Sequence, residues 1–240
     1  MRNFRDRHRH PGGPLAARRT GGGLTEITFP TAVTLTGTSG AGSYISTPDA
    51  NDLDLTGDFW LAAKIAPTDW TPASGQIIVA KEQTTATRSF RFYLTGAGGT
   101  LSLAWSTNGS AVTTQTSTVA AGGTDGAPLW VAAEMDVDNG AGAYSVKFYT
   151  APSGDRFPTS WTQLGTTKTG GATTSVFSST SQIEIGSRVN SAAEWLAGDV
   201  YGTVIGSGLL AAATRVALFT AFGVSGATYT DPYGHVWTVN

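Results

Sequence analysis

The sequence predicts an all-β fold of two packed antiparallel sheets, with one short helix near the C-terminus and an extended arm at the N-terminus. Three observations carry that expectation. From Leu24 onward, apolar residues recur with period two in short runs, the spacing that puts one face of each strand on a core. Gly, Asp, Asn, Ser and Pro separate those runs, and 31 Gly among 240 residues is near double the usual share, which suits a turn-rich chain. Charged residues make up only 13 %, while seven Trp, seven Tyr and ten Phe supply large side chains to bury. The expected division is an arm of residues 1–23 followed by one large domain of residues 24–240.

The arm comes first. Residues 1–19 hold Arg2, Arg5, Arg7, Arg9, Arg18 and Arg19 against a single Asp, a balance of +5, whereas the rest of the chain carries −7. Pro11, Gly12, Gly13, Pro14 and the run Gly21, Gly22, Gly23 prevent a continuous helix, so the arm reads as extended. Planar guanidinium groups suit docking on carboxylates of a neighbouring subunit. Phosphate satisfies the same geometry, so nucleic acid is the less favoured partner and a solvated tail the plain alternative. His8 and His10 form an H-x-H, but the flanking Arg residues would repel a cation.

Along the body, residues 58–66 put Phe59, Leu61, Ala63 and Ile65 on one face, and residues 88–95 do the same with Phe90, Phe92 and Leu94. Leu101, Leu103 and Trp105 continue the scheme. In residues 129–138, Leu129, Val131, Ala133, Met135 and Val137 alternate with Trp130, Ala132, Glu134, Asp136 and Asp138. Asp138-Asn139-Gly140 then turns the chain, and Tyr144, Val146 and Phe148 return inward to complete a hairpin. Residues 211–222 place Val216, Phe219 and Phe222 at helical spacing with Gly223 as a stop, which predicts the one helix. A last hairpin spans residues 228–240, with Asp231-Pro232-Tyr233-Gly234 as its turn and Trp237 facing the core.

The order of these pieces resembles the laminin-G-like, concanavalin A-like jelly roll. SYISTPDANDLDLTGDFWLAAKI (residues 43–65) looks like that family's opening, QIIVAKE (76–82) its next strand, and LWVAAEMDVDNGAGAYSVKFY (129–149) its Trp-led central hairpin. QIEIGSR (182–188) and WLAGDVYGTVIGSGLL (195–210) resemble its later strands before a short helix. The resemblance implies a jelly-roll sandwich, and leaves function open because the fold serves glycan binding, protein binding and glycosidases alike. A looser resemblance, from a low-charge Gly/Thr/Ala-rich body behind an Arg arm, is to minor tail or other virion proteins of phages of high-GC Gram-positive bacteria. It implies a structural or adhesive virion protein, possible host-surface glycan contact, and homo-oligomers within a particle.

Composition excludes several chemistries. Without Cys there is no disulfide scaffold, Cys-ligated zinc or thiol catalysis, and G-x-x-x-x-G-K-[ST], G-x-S-x-G and H-E-x-x-H are all missing. No apolar run is long enough to span a membrane, and the start does not read as a secretory signal; the virion location expected here is what the resemblance to phage virion proteins implies. The sharpest enzyme-like feature is Glu134, Asp136 and Asp138, which period-two geometry aligns on one face as in family 16 glycosidases. The third position there is Asp rather than Glu, and the expectation is a non-enzyme. No cofactor is expected beyond a possible Ca²⁺ on Asp136, Asp138 and Asn139, although D-N-G is also an ordinary turn. For sugar, the loop-borne Trp70, Trp161 and Trp195 are the candidate stacking platforms. A free carbohydrate-binding module is the alternative to the virion reading, and a β-glucan hydrolase the second.

Overall fold

In the computed structural model, residues 28–38, 44–83, 86–189, 193–211, 214–221 and 226–240 are described. The six arm arginines and the H-x-H pair lie outside these residues. One sheet is built on β3 (Phe59–Pro67), which pairs on one side with β8 (Leu129–Asp136) and on the other with β13 (Ala197–Ser207). Beyond β8 comes β9 (Ser145–Ala151), flanked by the short β10 (Thr162–Gln163) and β11 (Lys168–Thr169). Beyond β13 come β1 (Val33–Thr36) and β14 (Thr214–Thr220), which share its flank because β1 takes residues 197–200 and β14 takes residues 202–207.

The second sheet runs β15 (Thr228–Thr230), β16 (Val236–Val239), β2 (Ile45–Thr47), β12 (Ile183–Ile185), β4 (Gln76–Lys81), β5 (Phe90–Leu94), β6 (Thr100–Trp105) and β7 (Thr113–Ala120). All these pairings are antiparallel, so the chain is a two-sheet jelly-roll sandwich. The one helical turn among the described elements is a single 3-10 turn at Asn51–Leu53. Among the described residues no helix is long and apolar enough to cross a membrane.

Period-two alternation places the core where it was expected. Phe59, Leu61, Ala63, Ile65, Phe90, Phe92, Leu94, Leu101, Leu103, Trp105, Val131, Ala133, Met135, Val146 and Phe148 all lie between the sheets. The hairpin of β8 and β9 closes with Asn139 N–H donating to Ala143 O at 2.8 Å, and Trp237 returns fully buried to the same core.

Among the described residues of the span 211–222 the expected helix is not found, and residues 214–220 form β14 instead. Its alternation buries Ala217 and Phe219 between the sheets and Leu218 on the opposite face. β13 offers an unpaired flank along residues 202–207, and ladder bonds there displace the helical preference of AAATRVALF.

One feature of the architecture positions the site. The outer face of the β3–β8–β13 sheet is itself covered. Trp60, Ala62, Trp130, Ala132 and Val204 project from it into a second apolar cluster, closed over by Phe29 and by Phe157 from the loop after β9. Burying both faces of a sheet requires strands that are apolar on both sides, which FWLAA and LWVAA are.

Candidate functional site

At the rim of the outer cluster the loop after β9 and the turn after β13 stand apart and leave a cleft of about 580 Å³. Its floor comes from cross-strand pairing. Glu134 on β8 is opposite Lys147 on β9, and Ala132 is opposite Tyr149, so Lys147 and Tyr149 both reach the Glu134 carboxylate. Lys147 Nζ donates to Oε1 at 3.2 Å, Tyr149 O–H donates to Oε1 at 3.1 Å, and the Leu210 backbone N–H donates to Oε2 at 2.8 Å. Glu134 is therefore a buried, triply held carboxylate, only 4 % exposed, and it ties the β13–β14 turn to the sheet. Burial, together with the adjacent Glu134 charge, pushes the Tyr149 phenol well above its ordinary value, so it stays a neutral donor.

The walls are aromatic and cationic. Trp161 lies half-buried, edge-on to Phe157 at 5.7 Å and to Trp130 at 6.3 Å. Trp130 in turn donates Nε1–H to Gly154 O, which pins the loop that carries Trp161. Across the cleft, Arg215 stands on β14 opposite Gly206 and has no ion-pair or hydrogen-bond partner among the described residues. The Glu134 charge is already countered by Lys147, so Arg215 leaves the cleft with an uncompensated positive charge.

The three carboxylates expected in one row separate. Glu134 lines the cleft, whereas Asp136 is the last residue of β8 and Asp138 lies in the turn beyond it. Asp136 Oδ1 accepts from Asp138 N–H, Asp138 Oδ1 from Gly140 N–H, and Asn139 Oδ1 from Ala141 N–H. Those oxygens shape the turn, as Asx side chains do. Burial, and then the neighbouring Asp58 charge, raise the Asp136 pKa. Among the described residues no group of three His, Asp or Glu converges on a point that would hold a metal ion.

The three candidate tryptophans also separate. Trp70 is 3 % exposed and belongs to the inter-sheet core, packed against Gly123 with its backbone N–H held by Asp125 Oδ1 at 2.8 Å. Buried so, it offers no stacking platform, which corrects that expectation. Trp161 lines the cleft just described. Trp195 is half-buried, edge-on to Tyr44 at 5.9 Å, and lines a separate groove of about 580 Å³ with Gln76 and Glu194. Arg215 and Tyr149 carry no sequence motif. The signal for a covered outer face was present in the alternate residues Trp60, Ala62, Trp130 and Ala132, which are as apolar as their inward neighbours.

No family model matches the chain, and no curated protein matches it in sequence. Among solved structures it is similar to the CBM40 domain of the Ruminococcus gnavus IT-sialidase bound to α2,3 sialyllactose. That match has 12 % identity and a TM-score of 0.50, and covers 74 % of this chain and 91 % of the other. It also aligns with domains LG4-5 of the mouse laminin α1 chain at 11 % identity and a TM-score of 0.44, covering 81 % of this chain and 47 % of that fragment, so the chain spans about half of it. The first likeness establishes a jelly-roll fold of the kind found in carbohydrate-binding modules.

Proposed function

We propose that this chain is a non-enzymatic, lectin-like domain that holds an acidic glycan in the Trp161 cleft. One observation carries the reading: a half-buried indole and an unpartnered guanidinium line a single cleft of about 580 Å³. An indole packs against the C–H face of a pyranose, and a planar guanidinium binds a sugar carboxylate through two parallel hydrogen bonds. Glu134 is engaged by three donors and has a structural part here, not that of an acid or nucleophile. Calorimetric titration of the full chain with α2,3 sialyllactose and with lactose tests it. Sialyllactose is expected to bind more tightly, Trp161→Ala to weaken binding about tenfold or more, or ~1.4 kcal/mol, and Arg215→Ala to abolish the preference. Equal binding of the two sugars by the parent chain would refute the acidic-ligand reading.

The finer reading places this domain on a virion, as an adhesive tail or decoration protein, with Arg2, Arg5, Arg7, Arg9, Arg18 and Arg19 docking the arm onto a neighbouring subunit. Its support is the segregation of charge, +5 in residues 1–19 against −7 in the rest. Ordering such an arm costs roughly 1–2 kcal/mol per residue, which only extensive partner contacts offset. Deleting residues 1–23 is expected to leave the glycan-binding body intact and to stop its incorporation into particles. Normal incorporation of the truncated chain would end the anchoring proposal.

A further inference from the structure

The groove beside Trp195 sits at the opposite end of β13 from the Trp161 cleft and shares no lining residue with it. Its chemistry differs from that of the cleft. Glu194 adopts a φ of +69°, a left-handed conformation that disfavours a residue with a Cβ. A chain of alternating charges holds it there. Arg188 Nε and Nη2 both bind Glu194 Oε2, at 2.9 and 2.6 Å, while Arg188 Nη1 binds the buried Glu82 at 2.8 Å. Glu82 also accepts from Arg91 at 3.1 Å, and the Arg91 guanidinium lies over the Tyr93 ring at 5.2 Å. Two arginines and two glutamates leave that network with no net charge.

Fixing Oε2 in this way leaves Glu194 Oε1 without a partner among the described residues, beside the wall formed by Gly75. Two further polar atoms in the same groove are unsatisfied. Gln76 Oε1, an acceptor, and Trp195 Nε1–H, a donor, are buried with no hydrogen-bond partner among the described residues. Buried polar atoms are nearly always paired in folded proteins, so an acceptor and a donor left unpaired in the walls of one groove mark it as a place where a ligand would gain two hydrogen bonds once small side-chain shifts open them to it. The groove thus has one open acceptor, Glu194 Oε1, and a buried acceptor and donor in its walls around an indole.

We propose that this groove is a second ligand site, selective for a neutral sugar. Sugar hydroxyls donate to Glu194 Oε1 and Gln76 Oε1, a ring or hydroxyl oxygen accepts from Trp195 Nε1–H, and the pyranose C–H face packs on the indole. A sugar carboxylate is disfavoured, because it would meet the Glu194 oxygen with no free cation in the groove. The site is independent of the Trp161 cleft and uses none of its residues.

The test follows the indole N–H resonances of the ¹⁵N-labelled full chain during titration with lactose, cellobiose, maltose and α2,3 sialyllactose. The Trp195 resonance is assigned by its disappearance in Trp195→Phe. At least one neutral disaccharide is expected to shift the Trp195 resonance. Gln76→Ala and Glu194→Gln should each weaken that binding about tenfold, and Trp161→Ala should leave it unchanged. Trp195→Phe keeps a ring and removes the donor, and is expected to weaken calorimetric binding while unfolding at the same temperature as the parent. No shift at Trp195 with any of the three neutral sugars overturns the proposal. So does undiminished affinity in Gln76→Ala and Glu194→Gln, or a stronger response to sialyllactose than to lactose at Trp195. Failure confined to Trp161→Ala and Arg215→Ala bears only on the acidic-glycan cleft.

Discussion

Asp231 holds the C-terminal hairpin to the sandwich with a side chain that is completely buried. Its Oδ1 accepts from the Tyr233 and His235 backbone N–H groups, both at 2.9 Å. Its Oδ2 accepts from Leu218 N–H at 2.9 Å and Trp237 Nε1–H at 3.3 Å, and lies 3.1 Å from His235 Nδ1. Removing the carboxylate would strand several buried donors at once, each costing the desolvation of an unpaired group. Asp231→Ala is therefore expected to destabilise the chain by about 3–5 kcal/mol in urea unfolding. Asp231→Asn, which keeps an acceptor oxygen, should lose less. A loss below about 1 kcal/mol for the alanine variant would show that the hairpin is held by its apolar contacts instead. The D-P-Y-G tetrad made the turn legible in the sequence. The bond to Leu218 was not, because it joins the turn to a segment that reads as a helix.

At the scale of elements, that misreading has a physical cause. VALFTAF satisfies a helical spacing through Val216, Phe219 and Phe222 and a strand spacing through Ala217, Phe219 and Ala221, and local pattern alone cannot choose between them. The choice falls to β13, whose flank along residues 202–207 accepts β14. β13 pairs on both flanks and buries both faces, which is why its glycines matter. A Cβ at Gly206 would collide with the Trp60 indole, and one at Gly202 with the Phe29 ring, in both cases against rigid aromatic groups of the outer cluster. Gly206→Ala and Gly202→Ala are each expected to destabilise by about 1–3 kcal/mol or more, the range for overpacking a filled core. Gly57, whose Cβ would meet nothing within 4 Å, serves as the control, with Gly57→Ala neutral or slightly stabilising. Equal melting temperatures for Gly206→Ala and Gly57→Ala would mean that the outer cluster yields freely, contrary to its buried rings.

Across the whole molecule, the inter-sheet core was legible from the period-two apolar positions of its strands, and the outer cluster was legible only on its strand side, because Phe29, Phe157 and Trp161 reach it from loops that follow no period. Charged groups inside so apolar a chain also set its response to pH. For Asp54, burial raises the pKa, but hydrogen bonds from Lys81 and Ser178 outweigh it and the net shift is downward. The folded state thus binds that proton less tightly than the unfolded chain, and the stability it contributes at neutral pH is lost as pH falls through the lowered value. Glu184 shifts the other way. Burial raises its pKa above the ordinary 4.5, and hydrogen bonds from Gln182 and Ser187 offset this only in part. Asp136 is raised by burial and by Asp58. For these two the folded state binds the proton more tightly, so stability falls as pH rises from the ordinary carboxylate range through the raised value, and stays lower above it. Glu184→Gln retains an acceptor for Gln182 Nε2 and Asp136→Asn retains one for Asp138 N–H. Both are expected to unfold at higher urea than the parent at neutral pH, and to converge with it in acid once the parent carboxyls are protonated. Asp54→Asn should be weaker than the parent at neutral pH and converge with it in acid. Urea titrations from about pH 3 to pH 8 decide it. An Asp54→Asn midpoint above that of Glu184→Gln at neutral pH would reverse both assignments and show that burial, not the Lys81 pair, governs the acidic groups of this sandwich.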